Sequence, residues 1–186
     1  PLEVEEMPSE RSLEAIGMPT VSPVEALEEG AAEAGPDGQG VRELISKLFT
    51  EINPSHIDLL ASASRSVSLP AGKILVQEED QGDSLFVVVS GHLEARGHFD
   101  GRDLLLGTFG PGDIIGEVAF LNKVPRTATV TAIEPSTIIE LSNDEARAQF
   151  AQLPEVQIVL EAILYQRVER TLQLIKQVNR DSDGHP

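Results

Sequence analysis

Two side chains past the middle of this 186-residue chain are of types that do chemistry together. They are Glu117 and Arg126, nine residues apart in "GEVAFLNKVPRTATV", Gly116 to Val130. A guanidinium is planar, always charged and forked, so it suits bidentate contact with a phosphate or carboxylate. An ionised glutamate only accepts hydrogen bonds; a phosphate would repel it, whereas hydroxyl groups suit it. A small molecule carrying both a phosphate and sugar hydroxyls would satisfy both residues. An ion pair closing the loop on itself fits the same spacing. Other reactive sets are sparse. His92 and His98 have five residues between them, and His56 and His185 lie far from both. A metal enzyme on a barrel needs a His-x-His pair and a following carboxylate, which these positions do not supply. The chain has no cysteine, hence no thiolate metal site and no disulfide framework, which fits a reducing, cytoplasmic compartment. No Ser-His-Asp order and no carboxylate pair beside an obvious cleft is present, so neither a catalytic residue nor a metal ligand is expected.

The residues around the pair provide its positioning. Ile114 and Ile115 read as the end of a strand, and Gly116 permits a sharp turn. "EVAFL" then forms a helical turn whose unbonded first amides face back toward its start, where an anion is favoured. Pro125 fixes the chain direction, and Arg126 is expected to begin the next strand.

The wider chain divides in two. Residues 1–40 hold ten acidic residues against the single Arg11, with Pro8, Pro19, Pro23 and Pro36 spread among them. Low hydrophobicity with high net charge predicts an acidic linker or tail, with a transient helix over "VEALEEGAAEAG". From Val41, "VRELISKLF" has helical spacing, and "PSHIDLLASA" reads as a second helix with Asn53 as its cap and Pro54 in its first turn. Between Ser66 and Leu141 about eight short strands are expected, punctuated by Gly and Pro turns. Asp100-Gly101 is the strongest hairpin signal among them. The expected class is mainly β with flanking helices: a closed barrel or jelly roll over about 66–142. Asn143 caps a short helix. Pro154 opens a long one to about Val178, whose apolar stripe Leu164, Val168, Thr171, Ile175 and Val178 is interrupted by Arg167. That helix covers the barrel or forms a homodimer interface.

The formal net charge is −17. Such a surface repels nucleic-acid backbones and anionic lipid, so neither is an expected partner. No apolar run approaches the roughly 18 residues that span a bilayer. The chain opens on Pro, not Met, and reads as a fragment or processed product. Eight residues follow Val178, too few for a helix-turn-helix.

"IGEVAFLNKVPRTATV" resembles the phosphate-binding cassette of cyclic nucleotide-binding domains. That pattern is G-E-x-A, two hydrophobic residues, three or four variable ones, then P-R-T/A-A-T-V. Gly116, Glu117, Ala119, Pro125, Arg126, Thr127 and Ala128 all match it. The resemblance extends from about Leu44 to Val178, and "GDSLFVVVSGHLEA" is similar to the family's third and fourth strands. Many members have glycine at the position of Glu79, a turn outside the site. The resemblance implies an eight-stranded jelly-roll barrel with N-terminal helices, two C-terminal helices, and the cassette between strands six and seven. It implies cAMP or cGMP as regulatory ligand, cAMP being the more frequent in such domains. Arg126 would hold the cyclic phosphate, and Glu117 the ribose 2′-hydroxyl. Gly116, Val118 and Ala119 would supply backbone contacts, with Thr127 and Ala128 completing the phosphate site. A Thr at position 127 also permits a guanine bound syn. Tyr165, Val168 and Thr171 are candidates to cover the base. The module would be a sensor whose final helix moves on binding and acts on an attached or partner effector. The competing class is a barrel used only for scaffolding or oligomerisation.

Overall fold

A computed structural model describes residues 38–49, 52–141 and 148–183. The acidic segment expected over 1–40 and the helix start expected at Asn143 fall mostly or wholly outside these residues. Helix α1 (Gly38–Leu48) begins before Val41 and buries Val41, Leu44 and Ile45. In α2 (Pro54–Ala63), Asn53 accepts from the Ser55 amide at 3.0 Å, so the expected cap is formed.

Eight strands follow: β1 (Ser64–Leu69), β2 (Ile74–Val76), β3 (Leu85–Ser90), β4 (Leu93–Phe99), β5 (Arg102–Phe109), β6 (Ile114–Ile115), β7 (Thr129–Ala132) and β8 (Ser136–Leu141). They pair antiparallel in two four-stranded sheets, ordered β1-β8-β3-β6 and β2-β7-β4-β5. That interleaved order is a jelly roll. The strands do not close one hydrogen-bonded ring. The two sheets face each other across a shared core instead. Asp100 (φ 52°) and Gly101 (φ 75°) make the tight turn between β4 and β5, as that dipeptide predicts.

The continuous apolar run of β3 has a plain cause, which is that both its faces are buried. Phe86 and Val88 join Leu93, Ile115, Val130 and Ile138 between the sheets. Leu85 joins a second core with Ile139, Leu141 and the helices. That second core takes Phe49 from beside α1, Phe120 from α3 (Glu117–Asn122), Phe150, and Val156 and Leu160 from α4 (Pro154–Asp183). Phe150 meets Phe49 edge-on at 5.4 Å between ring centres. α4 is longer than expected and runs to Asp183. Nothing in "NRDSD" breaks a helix, so the helical backbone continues through it. Among the described residues no helix is long and apolar enough to cross a membrane.

Candidate functional site

The cassette lies between β6 and β7, in the position its sequence implies. Gly116 caps α3 at φ 95°, a left-handed conformation that a side chain would strain. The glycine is required for space as well. A Cβ there would lie 2.6 Å from Arg126 Nη1 and 2.6 Å from the Ser84 carbonyl oxygen. In α3 the Phe120 amide makes the first intrahelical bond, to the Gly116 carbonyl, at 3.0 Å. The amides of Glu117, Val118 and Ala119 therefore lie in the unbonded first turn.

Arg126 does not begin β7, which starts at Thr129; it sits in the irregular entry to that strand. Its backbone is locked by the turn after β2. The Arg126 amide donates to the Asp80 carbonyl at 2.9 Å, and its carbonyl accepts from the Glu79 amide at 2.8 Å. Glu79 has φ 69°, the conformation that favours glycine. This turn, expected to lie outside the site, therefore holds the site's backbone. Arg126 is 6% exposed. Both its terminal nitrogens donate to the Ser84 carbonyl at 3.1 Å, and its plane lies 5.6 Å from the Phe86 ring centre.

Glu117 is 2% exposed. A carboxylate that deep needs a countercharge, because an uncompensated buried charge costs several kcal/mol. The partner is not Arg126. It is Arg167 of α4, whose Nη1 donates to Glu117 Oε2 at 2.5 Å and whose Nη2 donates to the Ile114 carbonyl at 2.6 Å. The Arg167 guanidinium also covers the Phe109 ring at 4.8 Å. The residue that interrupts the apolar stripe of α4 is thus the one that fastens α4 to the cassette. That interruption was the only sign of it in the sequence.

All seven residues expected to contact the ligand, Gly116, Glu117, Val118, Ala119, Arg126, Thr127 and Ala128, line one cavity of about 360 Å³; Pro125 of the cassette does not. Its far wall is apolar, formed by Val76, Ala95 and Leu106 of the sheet and by Val168, Leu172 and Ile175 of α4. Of the three residues expected to cover a base, Val168 and Thr171 line the cavity. Tyr165 does not; it is 50% exposed and points elsewhere. Arg170 lines the cavity too, a residue that neither spacing nor motif had singled out. The arrangement can take a compact ligand with an anion at Arg126 and the first amides of α3, hydroxyls at Glu117, and a flat apolar group between β5 and α4.

The histidines are placed otherwise. His92 and His98 lie at opposite ends of β4, against Glu134 and Glu78, and His56 lies against Glu155. Among the described residues no three His, Cys, Asp or Glu side chains gather where they could hold a metal.

Comparison with known proteins points the same way. Residues 66–152 match the family model described as the cyclic nucleotide-binding domain. The chain is 32% identical over 125 residues to a CRP-like cAMP-activated global transcriptional regulator of Mycobacterium tuberculosis, covering 67% of this chain and 56% of that protein. It is similar in structure to the Thermus thermophilus catabolite activator protein, with TM-score 0.58 and 28% identity, covering 71% of this chain and 62% of that one. It is also similar to the regulatory domain of Toxoplasma gondii PKA crystallised with cAMP, with TM-score 0.56 and 27% identity, covering 64% of this chain and 45% of that one. The chain therefore spans less than two thirds of each of these relatives. On the cassette, the jelly roll around it and these likenesses, the chain belongs to the cyclic nucleotide-binding domain family.

Proposed function

We propose that the cavity binds a purine cyclic nucleotide, cAMP or cGMP, and that the domain is a sensor that regulates an attached or partner effector, without catalysis of its own. One observation carries this reading. Glu117 and Arg126 both face the cavity, yet Glu117 is paired with Arg167 and Arg126 is braced on the Ser84 carbonyl. Two charges of opposite sign at one small cavity, each held by another group, are arranged for a third party. In this reading Arg126 takes the exocyclic oxygens of the cyclic phosphate. Glu117 accepts from the ribose 2′-hydroxyl while keeping Arg167. The amides of Val118 and Ala119 and the backbone of Gly116 surround ribose and phosphate. Thr127 and Ala128 close the phosphate side, and the Thr127 hydroxyl is also available to a guanine amino group. The base lies in the apolar end, under α4.

α4 then carries the signal, because its Arg167 reads the state of Glu117. Its exposed Ile158, Tyr165 and Leu172 recur every seven residues, which supports self-association through this helix. The −17 charge supports a protein or a second copy as partner of this segment in preference to nucleic acid or anionic lipid.

Calorimetric titration with cAMP and with cGMP tests the reading. Wild type is expected to bind at least one of them at micromolar or tighter affinity. Arg126→Ala is expected to weaken that binding by about a hundredfold or more, since it removes a buried charge-paired donor. A wild-type protein giving neither heat nor a thermal shift with either nucleotide would end the sensor reading. An Arg126→Ala protein that binds as well as wild type would end the site assignment.

A further inference from the structure

The proposed ligand accounts for two of the cavity's three guanidinium groups. Arg126 meets the phosphate, and Arg167 holds Glu117. Arg170 has no such role. Among the described residues it has no carboxylate partner, in a chain with 31 acidic residues to 14 basic ones. Its guanidinium lies against the backbone of β5, where a Cβ on Gly107 would sit 3.6 Å from Nη1. The register explains the placement. Arg167 covers Phe109 and Arg170 covers Gly107, so α4 runs lengthwise over β5, and the two arginines share the face turned to the cavity. Arg170 is one turn past Arg167, about 4.5 Å further along the helix axis. A ribose held at Glu117 projects its base in that direction, since the remaining cavity lies there between β5 and α4.

Donor chemistry then separates the two purines. A guanidinium offers only N–H donors. Guanine has one edge with two adjacent acceptors, N7 and O6. Adenine has N7 beside the N6 amino group, itself a donor. Resting on the cyclic-nucleotide reading above, we propose that Arg170 is a base-specificity residue that donates to the N7/O6 edge of guanine, so that it strengthens cGMP binding selectively over cAMP. Thr127 lines the same cavity from the cassette side and leaves its hydroxyl for the opposite, amino-bearing edge. A Cβ at Gly107 would stand in ordinary van der Waals contact with the guanidinium, which shows how closely Arg170 lies on β5.

The test is a set of titrations with cAMP, cGMP and 7-deaza-cGMP, which lacks the N7 acceptor, on wild type and Arg170→Ala. Arg170 is exposed, so its removal should leave the melting temperature unchanged, and this is measured alongside. Arg170→Ala is expected to weaken cGMP by about tenfold and cAMP by less than about threefold. Wild type is expected to bind 7-deaza-cGMP several-fold more weakly than cGMP, and Arg170→Ala to bind the two alike. Equal losses for cAMP and cGMP, no loss for either, or wild-type indifference to N7 would each overturn the role of Arg170 while leaving nucleotide binding intact. Failure of all three nucleotides to bind wild type would overturn the underlying reading and this one with it.

Discussion

Gly116 is the residue on which the site's geometry turns. It has φ 95°, and a Cβ would stand 2.6 Å from both the Arg126 guanidinium and the Ser84 carbonyl that braces it. Neither neighbour can yield easily. The carbonyl is backbone ahead of β3, and the guanidinium is buried against Phe86. Gly116→Ala is therefore expected to cost about 2 kcal/mol or more in stability, from backbone strain and crowding together. It should also weaken nucleotide binding more than tenfold by displacing Arg126. Denaturant melts and titration on the same preparation check both. An alanine variant indistinguishable from wild type in both would show that the loop relaxes at no cost. Glu79 is the converse case: a side chain held at φ 69° where glycine would be easier. Its backbone contact with Arg126 explains why the turn keeps this shape, although nothing explains why Glu occupies it.

At the scale of elements, what was legible in the sequence was local. Asn53 and Asp100-Gly101 act within a few residues of themselves, so cap and hairpin could be read directly. The cassette was legible because its ligand contacts and its turn lie within one continuous stretch. Arg167 was not, because its partner Glu117 is 50 residues away and only the folded helix brings them together. Tyr165 was misplaced for a related reason, since helical spacing gives a face but not its rotation against the sheet. The turn after β2 shows the same long-range dependence. Glu78 accepts from the His98 amide at 3.1 Å and from its ring Nδ1 at 2.7 Å, tying this turn to β4. The hydrogen bond and charge of Glu78, with a smaller contribution from Asp103, raise the His98 pKa above its ordinary 6.5. A raised folded-state pKa means the contact's stabilisation is fully present below pH 6.5. It fades as pH rises through the higher folded value. NMR titration of the imidazole should show that elevated midpoint, and Glu78→Gln should bring it back down. An unchanged midpoint in the variant would remove Glu78 as the cause.

For the molecule as a whole, α4 is a lever about 45 Å long with unequal anchorage. Its first turns are in the core: Val156 and Leu160 are fully buried, and Ile163 nearly so. Beyond Ile163 no described side chain of α4 is buried. This distal part is held over β5 by the Arg167 bonds and, near its end, by the Arg102 side chain donating to the Val178 carbonyl at 3.5 Å. Few buried apolar contacts imply a low free energy of local opening. A ligand that fills the cavity would give the distal part an apolar surface to close on, and it shifts the helix only by its difference in affinity for the two states. Hydrogen exchange is expected to be faster over 165–180 than over 156–164 in the free protein. Saturating cyclic nucleotide should slow exchange over 165–175 by about tenfold or more, with 156–164 little changed. Arg167→Ala should raise distal exchange in the free protein, because the tie to Glu117 is lost. If nucleotide binds by calorimetry but distal exchange does not change, α4 is a fixed wall of the cavity. The output would then have to leave through the other core, where Phe120 of the cassette and Phe150 pack with the N-terminal helices.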